Sequence, residues 1–426
     1  MDADEFALVE ALMKNNENMR VIAVGDDDQN IYDFRGASSQ YMKKLIDVYG
    51  AKRYELVENY RSRKNVVALA NAFSAKIGNR MKSQEVTAIQ KELGKVIITK
   101  HTSPNLEEPI LRMIQAFYKS GSACVLTATN NEAANMVGLL TKKGYRAKLI
   151  QSLNGFRLSN LMELRHFTKI IHNNLHGSPI IDDKLWNEAK TKLNEIYATS
   201  TCLEICNKLI ADFEAVNNKA KYWSNLQDFI TESNLEDFYQ AESGTIIVST
   251  IHKSKGREFD NVYLMLNNHK AETDEEKRAL YVAMTRAKEN LFIHCNNSIF
   301  DAYHLEGVEH RTDATKYAAP AEIALQLSHK DVFLSFFKDK KEAIFKLRSG
   351  MSLKVYNENL VADINGRETT VGKLSKKCQE TVDNYKKMGY ETTSATIDFI
   401  VAWKGEEDKE ESAIILPTLK FRREKA

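Results

Sequence analysis

No run of apolar residues in this chain approaches the roughly 20 needed to cross a bilayer. The longest, VIAV at 21–24, TIIVSTI at 245–251 and AIILP at 413–417, are far shorter. The start lacks the basic-then-apolar profile of a secretory signal, so the chain is read as cytoplasmic, with no membrane partner. Cysteine is scarce: five scattered positions form neither a disulfide framework nor a paired zinc pattern. Cys202 and Cys206, four apart in a helical-looking stretch, read as core or surface rather than ligands, and no metal ligand is assigned. Charge of one sign is also missing, since a net +2 is too small to argue for nucleic acid. Any such contact must come from local placement of Lys, Arg and aromatics. Absent too is G-x-x-x-x-G-K-[ST], the loop whose backbone amides cradle nucleotide phosphates.

What is present is an ordinary globular composition, 43% hydrophobic and 28% charged, at a length that suggests two to three domains. Phe6, Val9, Leu12 and Met13 fit the apolar face of a short helix running into a strand at 21–24. A helix near 41–48, a strand at 54–57 and a helix at 66–77 follow, then a polar, linker-like stretch at 78–94. From residue 95 the pattern alternates: strands at 96–99, 124–128 and 147–150, with helices near 107–118 and 131–143 between them. That alternation predicts βαβ units and a parallel sheet. Residues 154–242 show only helical spacing, and strands resume at 245–250, 261–266 and 290–295. Residues 305–329 are weakly patterned, and 330–426 combine strand-like runs with a helix at 374–387. Lysine and arginine clusters there, such as Lys386/Lys387 and Arg422/Arg423, read either as solvated surface or as a backbone-binding face.

Four stretches stand in a fixed order: VGDDDQNIYDFRGA at 24–37, LVENYRSRKNV at 56–66, STIHKSKGREFDNVYLM at 249–265 and EEKRALYVAMTRAK at 275–288. Singly, each has a plain structural reading: a Gly/Asp turn with core aromatics, a helix start at Arg61, a structural histidine at His252, an amphipathic helix. Together they resemble the C-terminal motif set of the UvrD/Rep/PcrA-type superfamily 1 DNA helicases.

The resemblance implies two RecA-like domains that pinch ATP between them while single-stranded DNA runs across their tops. It implies that Gln29 senses the γ-phosphate and water, as suits an amide that donates and accepts without titrating, and that Arg61 and Arg286 act as arginine fingers. Tyr60, Gly256 and Glu258 would contact the nucleotide, Tyr60 on adenine and Glu258 on ribose. Tyr32, Phe34, Arg35, Thr250 and His252 would face DNA, the aromatics stacking on bases at about 1–3 kcal/mol each. Two positions depart from the pattern. Arg257 stands where Leu is usual, touching phosphate or solvent, and Ala128 stands where Arg is usual.

On this reading the fold is α/β. Residues 1–94 are the remnant of a first RecA-like domain, and 95–153 with 243–304 form a second. Residues 154–242 are a helical insertion, 305–329 a linker and 330–426 a small mixed or β-barrel-like C-terminal module. The implied function is an ATP-dependent 3′→5′ DNA helicase acting on single-stranded or partly duplex DNA in repair or recombination, with ATP and Mg2+ as cofactors. The phosphate loop and the Mg2+-holding carboxylates are missing, so the chain is expected to be a truncated or split part, completed by an upstream polypeptide and unable to turn over alone. The competing expectation is a non-catalytic DNA-binding or regulatory subunit. A strand at 21–24 without the rest of its sheet should leave apolar surface exposed or disordered.

Overall fold

The computed structural model describes residues 1–16, 18–32, 36–150, 157–233, 244–405 and 410–423. The chain divides into two compact units, Met1–Gln151 with Ala241–Ala319 and Ser152–Gln240 with Pro320–Ala426.

The first unit is built on a seven-stranded sheet, in the order Val308–Asp313, Val96–His101, Ala287–Cys295, Phe259–Leu266, Ala123–Thr127, Ile246–Thr250, Ala147–Ile150. Every pairing is parallel. A parallel sheet is covered on both faces, so its strands read as continuous apolar runs. Successive residues then serve two separate cores. Val96, Val262, Leu291 and Ile293 face one, closed by the helices Lys64–Ser74 and Asp274–Met284. Ile97, Tyr263 and Phe292 face the other, closed by Glu107–Phe117 and Asn130–Lys142. There Tyr263 and Phe292, paired in register, stack with centroids 4.8 Å apart.

Three expectations for this unit need correction. Residues 305–329 contain two strands: Val308–Asp313 pairs with Val96–His101, and Glu322–Gln326 belongs to the second unit. As an edge strand with mostly exposed side chains, Val308–Asp313 carries little of the apolar pattern that marks the central strands. The strands expected at 21–24 and 54–57 do not form; only Glu58–Asn59 pairs, with Thr87–Ala88. Ile22, Val24 and Leu56 are 89%, 86% and 87% exposed, in line with the expected uncovered apolar surface. Finally, the stretch at 78–94 is no free linker, for Arg80, Met81 and Lys82 fasten onto the loop at 26–28.

In the second unit the helices Met162–Asn174, Asp183–Ile196, Leu203–Val216 and Trp223–Glu232 share one core with a six-stranded antiparallel sheet. The sheet order is Glu322–Gln326, Ser412–Arg423, Tyr390–Trp403, Ser352–Tyr356, Asn359–Ile364, Arg367–Lys373. The helical segment and the C-terminal module, expected as separate bodies, therefore form one. Phe167, Trp186 and Phe213 from the helices bury in the same cluster as Ile397, Phe399 and Ile414 from the strands. Amphipathic helices need a partner for their apolar stripe, and sequence spacing does not say which distant element supplies it. The helix expected at 374–387 is present as Lys376–Lys387. Among the described residues, no helix is long and apolar enough to cross a membrane.

Substituting Ser at Ile22, Val24 and Leu56 should lower binding of a dye for exposed apolar clusters while moving stability by no more than about 0.5 kcal/mol. An unchanged dye signal would mean that this surface is not the exposed patch. A second expectation concerns the pair His101 and His294, whose ring nitrogens lie 2.9 Å apart inside the sheet. Burial and the neighbouring His101 push His294 down from 6.5 to about 3. The unfolded chain then binds a proton that the folded chain refuses, so this contribution to stability is present above about pH 6.5 and lost as pH falls below it. His294→Asn should flatten that slope in pH-dependent urea unfolding.

Candidate functional site

In the first unit, Asp27–Gln29 form a single 3-10 turn whose N-cap is Asp26, with its carboxylate accepting from the Asp28 N–H at 3.0 Å. The Gln29 amide donates to Asp26 Oδ2 at 2.8 Å, which holds its carbonyl oxygen toward Arg286. Three adjacent carboxylates repel one another unless matched, and the stretch at 80–82 matches them. Arg80 forms a two-pronged pair with the fully buried Asp28, at 2.8 and 2.7 Å. Lys82 reaches Asp26 at 2.6 Å and Asp28 at 3.4 Å, and the Met81 N–H donates to Asp27 at 2.5 Å.

Arg286 stands one residue past the Thr285 cap of the helix Asp274–Met284 and immediately precedes the strand Ala287–Cys295. Its Nε donates to the Val282 carbonyl at 2.9 Å, one of the carbonyls a helix end leaves without an intrahelical partner. The two terminal nitrogens donate to Arg257 O at 3.1 Å, Thr285 Oγ1 at 3.2 Å and Gln29 Oε1 at 3.3 Å. The residue is 2% exposed, yet among the described residues no carboxylate pairs with it. Burial and the nearby charge of Arg61 bring it down to about 10, still cationic at neutral pH. Arg61 forms an ion pair with Glu258 and donates to Thr285 O at 3.4 Å. Backbone bonds lock the corner, with the Phe259 N–H on Arg286 O at 2.9 Å and the Ser62 hydroxyl on Ala287 O at 2.7 Å.

Four predicted positions thus converge: Gln29, Arg61, Glu258 and Arg286. They gather at the amino ends of Phe259–Leu266 and Ala287–Cys295, not at the carboxyl ends where ligand loops of such sheets are usual. A second group lies at the carboxyl end of Ile246–Thr250. The Tyr32 hydroxyl donates to His252 O at 3.0 Å, their rings lie 6.5 Å apart, and Lys255 Nζ sits 5.1 Å above the Tyr32 ring. Burial lowers His252, which keeps it neutral at pH 7. Gly256 takes φ +86°, a conformation side chains rarely adopt.

Other predicted positions stand apart from these groups. Thr250 is buried at 6% exposure, whereas Tyr60 is 67% exposed with its hydroxyl donating to Glu58. Phe34 and Arg35 lie outside the described residues. Sequence reasoning missed Arg80, Lys82 and Lys255. Lys255 had a signal in its place three residues after His252, but Arg80 and Lys82 meet their partners from more than 50 positions away and had only their charge.

A buried cation without a carboxylate, beside a second arginine and an amide, suits an anionic phosphate group. The fit to Mg2+ is poor. Asp26, Asp27 and Asp28 are the one acidic or His/Cys cluster of metal-binding proximity among the described residues, and Arg80, Lys82 and Met81 N–H already occupy their oxygens.

Comparison with known proteins gives the class to which this parallel-sheet unit belongs, that of the helicases. The model of the UvrD-like helicase C-terminal domain matches residues 54–197 and 179–298, and that of the UvrD/REP helicase N-terminal domain matches 2–50. The chain belongs to the UvrD-like helicase family. A probable DNA helicase II homolog of Mycoplasma capricolum is 22% identical over 384 residues, covering 68% of this chain and 53% of the relative. The Gabija protein GajB of Bacillus cereus is 20% identical over 307 residues, covering 68% and 61%. The ATP-dependent DNA helicase Rep of Buchnera aphidicola is 23% identical over 461 residues, covering 80% and 66%. The chain spans about half to two thirds of the length of these relatives.

Arg80→Ala should destabilise the first unit by about 1–3 kcal/mol, because it strips a charged hydrogen-bond partner from a carboxylate that water does not reach. Combining it with Asp28→Asn should cost less than the two single changes summed, as read by urea unfolding. Strict additivity would show that the pair is not coupled.

Proposed function

We propose that this chain supplies one wall of the ATP site and part of the DNA path of a 3′→5′ DNA helicase. The observation that carries the reading is Arg286, a buried guanidinium held by carbonyl oxygens and left without a carboxylate beside Arg61 and Gln29. On this reading the seven-stranded unit is the second RecA-like domain and residues 2–50 belong to the first, while the helix Lys64–Ser74, expected with the first, packs on the sheet of the second. ATP, when bound, would supply the γ-phosphoryl group, which passes to water as ADP leaves. Arg286 and Arg61 would oppose the charge developing on it, and Gln29 would orient the water. Glu258 would hold Arg61 in place and reach the ribose, with Gly256 allowing close approach and Tyr60, exposed and uncovered, offering its ring to adenine.

On the DNA side, Tyr32 would offer its ring to bases while His252 and Lys255 meet the backbone. The sequence has no phosphate-loop lysine, and among the described residues no carboxylate set is free for Mg2+. Both would come from polypeptide outside these residues, and no hydrolytic step is assigned to this chain by itself. That same lack, with Asp26–Asp28 neutralised internally, favours as a second reading a non-catalytic DNA-binding or regulatory subunit.

Steady-state ATP hydrolysis with single-stranded DNA separates the two. The chain joined to a polypeptide carrying the phosphate loop should turn over, and Arg286→Ala should reduce kcat by about 10³-fold or more. Turnover that is indifferent to Arg286→Ala sinks the helicase reading. DNA binding without any turnover in the joined form supports the regulatory one.

A further inference from the structure

The second unit carries a cavity of about 790 Å³ against the helix Met162–Asn174, far in sequence from every motif considered so far. Its size lies within the range of small-ligand sites, roughly 300–1,000 Å³. The helix explains its chemistry. Leu164, Phe167 and Ile171 bury one stripe in the core. On another stripe Arg165, Lys169 and His172, four and three positions apart, line up along one face. The exposed ring of His172 lies beside Trp223, with centroids 5.4 Å apart and planes 30° from parallel. Lys341 and Lys192 add further cations to the wall.

The charges do not cancel. Arg165, Lys169, Lys192 and Lys341 face Glu410 and Glu411. Arg165 is taken up by Glu411, and Lys192 by Glu188 at 2.6 Å. Lys169 and Lys341, both exposed, have no carboxylate partner among the described residues. Unpaired cations beside a tilted pair of rings match a chain of phosphates bearing stackable bases: lysines neutralise the backbone, and a base stacks on a ring whatever its identity. An acidic peptide would use the lysines but has no need of the ring pair.

We propose that this cavity binds a single nucleic-acid strand, with a base on His172 and Trp223 and phosphates on Lys169 and Lys341. The site is independent of the helicase reading, since it shares no residue with the groups around Arg286 and Tyr32.

The test uses the whole chain and a fluorescent oligothymidylate followed by anisotropy across a salt series, together with a 5-iodouracil oligonucleotide for photocrosslinking. Lys169→Glu with Lys341→Glu reverses two exposed charges without touching the core. Binding should weaken by about 10-fold or more at low salt, and the salt slope should fall by about 1.4, two phosphates at 0.7 each. Trp223→Ala should weaken binding by about 10-fold, and Trp223→Phe should restore most of it. Crosslinks should map to His172 or Trp223 and persist in Tyr32→Ala. Crosslinks confined to the Tyr32 region, or a salt slope unmoved by the lysine changes, overturn the proposal and leave the helicase reading standing. Displacement by polyglutamate from the cavity, or by thymidine monophosphate at micromolar concentration, would overturn it in favour of an acidic peptide or a free nucleotide.

Discussion

A parallel sheet offers no face to water, and that constraint organises the first unit. Each strand must send alternate residues into two different cores, which is why Phe292 and Leu291, neighbours in sequence, stand in separate clusters. Helices have to close both cores, and Lys64–Ser74 is recruited for this although it lies before the sheet begins in sequence. With the faces closed, only the ends of the strands remain to carry chemistry. The two groups of polar residues sit there, one at the amino ends and one at a carboxyl end. The same rule accounts for Val21, Ile22 and Val24: a strand-like run with no sheet to join stays in the open.

Electrostatics at the site separates what is matched from what is not. The three aspartates at 26–28 are matched by Arg80, Lys82 and a backbone N–H, which leaves that loop little capacity for a cation. Arg286 is the reverse case. The Val282 carbonyl at the end of its own helix, the Arg257 carbonyl and the side-chain oxygens of Thr285 and Gln29 accept its hydrogens without cancelling its charge. Desolvating a charge that no carboxylate bonds directly is costly, and on the proposed reading an arriving phosphate would offset that cost. Family membership and this local imbalance are separate arguments for one conclusion.

Much of this was legible from residue order. The central strands declare themselves because burial on both faces makes them apolar without interruption, and the motif positions Gln29, Arg61, Glu258 and Arg286 could be named before they were seen to meet. The edge strand Val308–Asp313 could not be read, since exposure of most of its side chains removes most of the pattern. Nor could the shared core of the second unit. The stripes on Met162–Asn174 and Asp183–Ile196 say that each helix needs a partner, but the strands that answer, Tyr390–Trp403 and Ser412–Arg423, lie some 200 residues on.

By itself the sequence determined most of the helices, the inner strands of the seven-stranded sheet and which family the motifs resemble, because periodicity and short spacings are local properties. Tertiary structure alone decided that Arg80 and Lys82 neutralise the aspartate turn, that Arg286 stays buried without a carboxylate, and that lysines and rings share one cavity in the second unit. The reason is distance along the chain. A charge acts over a few ångströms whatever the number of residues between it and its neighbour, so the partner of a buried group is set by how the segments pack and cannot be read from their order.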